Sequence, residues 1–144
     1  MSTLTATKIT EAGTGSGATT TAVSDPAKYA ATGGDEFVNN GVEFLHIQNN
    51  HASGTYTVRA TAQTTSIRNS TYGIVTKDHV DKSVGPGAAI FMGPFKQGAF
   101  NDANGKVQLT YKTTGTYSSG AALSTIGGGS THKLKVEVLY LDNQ

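Results

Sequence analysis

Cysteine and tryptophan are both absent from these 144 residues, proline occurs three times, and only 15% of the side chains are charged. Without cysteine there are no disulfides and no thiolate metal sites, so stability has to come from packing, strand pairing or oligomerisation. That suits synthesis in a reducing cytosol. A net charge of +1 supplies no field of one sign strong enough to point to nucleic acid or an anionic membrane as partner. No apolar run approaches the ~20 residues of a membrane helix, and residues 1–10 hold one lysine and no apolar stretch of the signal-peptide kind. Helical periodicity is missing as well.

What is present favours strands. The hydrophobic share is 36%, with 18 glycines, against roughly 45–50% for average globular sequences, a reference that counts glycine. A thin core of this kind fits strands that bury every second residue better than a helical bundle. The length suits one domain. The sequence therefore predicts an all-β chain, a jelly-roll-like antiparallel β-sandwich or a small barrel, with a flexible N-terminal arm over residues 1–35 and the β-domain over 36–144.

The arm is rich in Thr, Ala, Gly and Ser, and its tract 11–17 has no side chain fit to anchor a core. Two β-prone pieces flank that tract, residues 4–10 and 19–23, each able to add an edge strand to its own subunit or to a neighbour. Leu4, Thr5, Thr7 and Ile9 are the expected contacts with a shell or a neighbouring subunit. Asp25-Pro26 stops the second piece.

From Glu36 onward, turn signals recur about every 8–12 residues, as in a sandwich or barrel. Residues 41–48 are too apolar for clean alternation and read as a central or bulged strand. Tyr56, Val58, Ala60 and Ala62 alternate with polar neighbours, as do Val107, Leu109 and Tyr111, and Leu134, Val136, Val138 and Tyr140. Leu139 and Leu141 interrupt the polar face of the last strand, which predicts apolar surroundings on both of its sides. Residues 74–80 are a weaker strand, the stretch 66–83 has no firm strand assignment, and residues 117–131 form a long loop, either a contact loop or a disordered one.

Each motif with a chemical look has a plainer reading. His46, His51, His79 and His132 lack the spacing that places two ligands on one metal. Asp78-His79-Val80-Asp81 reads as a solvated turn. Asn101-Asp102-Ala103-Asn104-Gly105 lacks the closing Glu of a calcium loop and reads as a tight turn. Gly13-Thr14-Gly15-Ser16-Gly17 has neither the strand nor the helix that a phosphate cradle requires. No serine sits in a nucleophile elbow, and Asn69-Ser70-Thr71 has the glycosylation spacing without a secretion signal. Arg59, Arg68 and the tyrosines could line a sugar site, although no tryptophan is available for stacking. No catalytic residue, metal or cofactor is expected.

One stretch carries a family resemblance: Val84-Gly85-Pro86-Gly87, then Ile90-Phe91-Met92-Gly93-Pro94-Phe95, then residues 100–111 from Phe100 to Tyr111. It resembles a segment of the capsid decoration, or cement, proteins of tailed bacteriophages, in which a glycine turn leads to a strand, a G-P-F corner, a short F-N loop and an alternating strand. A last strand of alternating Val and Leu follows there, as in residues 134–141. The resemblance covers residues 36–144. It implies a virion structural protein on the outer surface of the head, usually a homotrimer, bound to the major capsid protein and bridging capsomers, with no nucleic-acid or membrane partner. Gly93, Pro94, Phe95 and Phe100 are the expected fold corner, closing one end of the sandwich with both rings turned inward, although Phe95 on the surface would instead be a contact anchor. The alternative is a carbohydrate- or receptor-binding β-sandwich module of a phage tail or surface structure.

Overall fold

The computed structural model describes residues 1–9, 28–31, 33–64, 66–76, 78–113 and 133–141. Within them lie β1 (Ser2–Leu4), β2 (Ala6–Ile9), β3 (Asp35–Val38), β4 (Phe44–Asn49), β5 (Tyr56–Ala60), β6 (Ser66–Asn69), β7 (Gly73–Thr76), β8 (Val80–Val84), β9 (Ala89–Met92), the single-turn helix α1 (Gln97–Phe100), β10 (Lys106–Thr113) and β11 (Leu134–Leu141). The architecture is the expected all-β sandwich. A five-stranded sheet, β1-β3-β10-β5-β8, packs on a four-stranded sheet, β2-β11-β4-β9. Both sheets keep terminal strands, so the barrel form does not occur. Both are mixed: β1 runs parallel to β3 and β2 parallel to β11, whereas the other ladders are antiparallel.

Alternation along the strands builds the core. Val107, Leu109 and Tyr111 of β10 face Phe37 of β3 and Val58 of β5 on one inner surface, while Leu45, Ile47, Val136 and Val138 line the other. Residues 10–27 and 114–132 lie outside the described residues, and with them the β-prone piece 19–23, Asp25-Pro26, the glycine tract 13–17, His132 and the loop 117–131.

The arm expected over residues 1–35 needs correction at its start. Leu4 is buried in the core, β1 extends the five-stranded sheet, and after Thr5 the same chain becomes the edge of the four-stranded one. Leu4 and Ala6 are the inward side chains there, and two residues are too few to register as a period. The middle also differs from expectation. Residues 66–76 form a separate β6–β7 hairpin belonging to neither sheet, and Val80 begins β8, so residues 74–80 are not one strand.

Three buried polar side chains tie the sandwich together, each in a setting where an unpaired group costs about 1–3 kcal/mol. Asp35, with no exposed surface, accepts hydrogen bonds from the Tyr111 hydroxyl (2.7 Å) and the Ala31 N–H (3.0 Å), and Lys28 Nζ stands 3.9 Å from its other oxygen. Asn49 reaches the carbonyls of Gly54 (2.6 Å), Val84 (3.0 Å) and Gly85 (3.0 Å), and its own carbonyl receives the His51 N–H at 2.9 Å. Asn39 does the equivalent just past the end of β3, donating to the Phe95 carbonyl at 3.0 Å and to Asn101 Oδ1 at 2.6 Å.

Burial, then the Asp35 charge and hydrogen bond, push the Tyr111 hydroxyl well above its ordinary pKa. The folded state thus holds this proton more tightly than the unfolded chain, whose tyrosines titrate near pH ~10. Its contribution is full below that pH and is lost as pH rises through the folded value. Tyr111→Phe should cost about 1–3 kcal/mol in urea unfolding at neutral pH, because Asp35 loses its donor, and should flatten the fall in stability above pH ~10. Leu4→Ala should cost about 2–5 kcal/mol in the same measurement; an unchanged midpoint would mean that the N-terminal strand is not part of the core.

Candidate functional site: an apolar face and its edge groove

The two outer surfaces of the sandwich are unlike. On the five-stranded sheet, polar side chains pair across strands: Lys106 Nζ lies 2.5 Å from Glu36 Oε1, Thr3 donates to the same oxygen at 3.0 Å, and Arg59 grips Asp81 through two bonds of 2.7 Å. Lys106 and Thr3 hold the Glu36 carboxyl below its usual pKa. Val38, 51% exposed, is the apolar exception.

On the four-stranded sheet an apolar diagonal crosses an outward row that also holds Gln48, Lys135 and Glu137. Phe91 of β9 contacts Phe44 of β4 edge-on at 5.9 Å, Phe44 stands opposite Leu139 of β11, and Leu141, two residues on, stands opposite Ile9 of β2. Leu139 is buried although it belongs to the outward row and not to the central core, in line with the apolar surroundings expected on both sides of the last strand. Phe91 is 57% exposed and Leu141 45%. His46 stacks flat on Phe91, centroids 4.9 Å apart, and its Nδ1 is 3.9 Å from Glu137 Oε2.

Phe91 is also the hinge between this face and a groove of about 540 Å³ whose lining includes Met92, Phe95, Phe100, Lys82 and Lys96. The groove ends at the G-P-F corner. Gly93 has φ +124°, and a Cβ there would lie 3.1 Å from Phe44 Cα, so only glycine fits. Gly93–Pro94 is a cis peptide bond. Phe95 and Phe100 are both buried, in a row of rings running Phe37–Phe95–Phe100 with centroids 5.8 and 5.5 Å apart. Asn39 fixes this end: its carbonyl accepts from Asn101 and Gln97, and its side chain holds the Phe95 carbonyl. Sequence reasoning missed Asn39 and Asn49, because each begins an Asn-Asn pair at a strand end, and such a pair reads as a loop.

The expected contact residues have different fates. Leu4 is interior, Thr5 and Thr7 are exposed, and Ile9 is half-buried at the end of the diagonal. Leu4 and Thr5 help line a second groove of about 560 Å³ with Val38, Val42, Glu43 and Tyr140. Burial opposes ionisation of Glu43, but hydrogen bonds from Asn40 and Val42 prevail and keep its carboxyl below the usual pKa.

The 101–105 turn and the 78–81 stretch are occupied by the fold itself. In the 101–105 turn Asp102 Oδ1 accepts the N–H groups of Asn104 (2.8 Å) and Lys106 (3.0 Å), with the Lys106 bond the main cause of its lowered pKa. The stretch 78–81 is not a free turn: His79 Nδ1 accepts the Ala62 N–H at 2.9 Å, and Asp81 lies in β8 bonded to Arg59. Arg59 is therefore committed to its own sheet and does not reach a sugar site with Arg68, which is exposed on the hairpin. Among the described residues no three His, Asp or Glu side chains converge as metal ligands, and no helix is long and apolar enough to cross a membrane. Compared with known protein families, curated proteins and solved structures, the chain matches none.

The corner and the diagonal make opposite demands on stability. Phe95→Ala should cost about 3–5 kcal/mol by thermal or urea unfolding, whereas Phe91→Ala, at a largely exposed ring, should stay within about 1 kcal/mol of the parent. Equal losses would place both rings in the core.

Proposed function

We propose that this chain is a structural protein of a tailed-bacteriophage particle: a decoration protein on the outer surface of the head, bound to the major capsid protein, bridging capsomers, and arranged as a homotrimer. The observation that carries the reading is the contrast between the two outer faces. One is laced with ion pairs; the other presents Phe91, Phe44 and Leu141 in a diagonal that water solvates poorly, as an association surface does. The resemblance of residues 84–111 to decoration proteins supplies the particle, the partner and the three-fold state.

Antibodies raised against the chain should label the outside of intact phage heads by immunogold in lysates of its source. Label on soluble protein alone would sink the reading. Phe91→Asp should fold normally and bind heads at least ~10-fold more weakly, since an unpaired charge would be desolvated at the contact. Light scattering reports the trimer.

A second reading, a carbohydrate- or receptor-binding module of a tail or surface structure, draws on the hairpin, where Tyr72 is 80% exposed. Glycan-array binding abolished by Tyr72→Ala would favour it.

A further inference from the structure

The two seams of the sandwich differ. On one side the N-terminal strand passes from one sheet to the other and covers an edge of each. On the other, β8 and β9 are both terminal strands, and the 540 Å³ groove opens between them. Its floor of Met92, Phe95 and Phe100 is apolar, and the charged side chains in its lining, Lys82 and Lys96, are both cationic and exposed. Lys82 shares the inward register of Val80 and Val84, while Asp81 faces outward onto Arg59. Among the described residues neither lysine forms an ion pair. Asp78 is an exposed acid just ahead of β8.

An inward lysine on an edge strand deters unwanted strand addition. That accounts for Lys82, but not for Lys96, which stands outside any strand at the head of α1 and lines the same groove. The β6–β7 hairpin of a second copy brings apolar Tyr72 and Ile74, yet its charge is Arg68 and residues 66–76 contain no carboxylate. Like charges would meet.

The geometry points to an acidic, extended peptide segment of a partner protein as the occupant of this groove. Its backbone pairs with the edge of β9 that no described strand occupies, a bulky apolar side chain enters over Met92 and Phe95, and flanking carboxylates meet Lys82 and Lys96. Strand addition supplies the backbone contacts, and the apolar pocket and paired cations supply the selectivity. The inference rests on the reading of the chain as a docking protein and names the chemistry of what docks at this end.

Selection of an mRNA-displayed random dodecapeptide library on the full-length protein tests it. Enriched peptides should place Asp or Glu within two positions of Phe, Leu or Tyr. The best of them, synthesised, should lose at least ~10-fold in affinity for Lys82→Glu/Lys96→Glu, and a milder loss should appear in Lys82→Ala/Lys96→Ala if the charge-reversed protein melts early. Enrichment without acidic bias, equal affinity for the variants, or no enrichment over empty beads would each overturn the inference. Head labelling is read separately: labelled heads with no selected peptide remove the groove alone, and selected acidic peptides with unlabelled heads remove the particle reading alone.

Discussion

Every ladder within the two sheets joins strands that are not consecutive in the chain, and this constraint governs the rest of the molecule. The chain moves from β3 in one sheet to β4 in the other, back to β5, and again between sheets from β8 through β11. Neither sheet is a local unit that could form first and wait. Burial of the shared core has to offset the ordering of many long connections at once, which implies slow, all-or-none folding. The polar ties belong to the same logic: Asn39, Asn49 and Asp35 each hold together segments far apart in sequence.

The two outer faces divide the work. Paired charges keep the five-stranded sheet in water, while the four-stranded sheet carries rings and a leucine, Leu141, that neighbours cover only in part. The corner at Gly93 lies between that surface and the core: a Cβ there would press both on Phe44, which meets Phe91 outside, and on Phe95, which is buried inside.

The sandwich was legible wherever alternation ran long enough. Residues 106–112 and 134–140 read as strands because three or four inward side chains repeat with period two, and both are strands. The interrupted polar face at Leu139 and Leu141 was visible too. Legibility failed where the signal was short or non-local. Two inward residues, Leu4 and Ala6, could not mark a strand that belongs to both sheets. The hairpin carries mixed polar and apolar residues and pairs with neither sheet, and no clear period runs through it. Arg59 looked available for a ligand, and only cross-strand register shows Asp81 opposite it. The groove at β9 has no sequence signature, since Lys82, Lys96 and Phe95 become neighbours through the meeting of two sheet edges.

The strand that serves both sheets has a consequence for synthesis on the ribosome. β1 and β2 are made first, yet β1 needs β3, and Ala6 of β2 has no ladder until Val138 of β11 has been translated. β2 therefore leaves the ribosome without its partner and stays uncommitted while the other strands are made. A segment left waiting in this way is open to capture by another nascent copy, so crowding on a polysome bears on whether each chain completes its own sandwich.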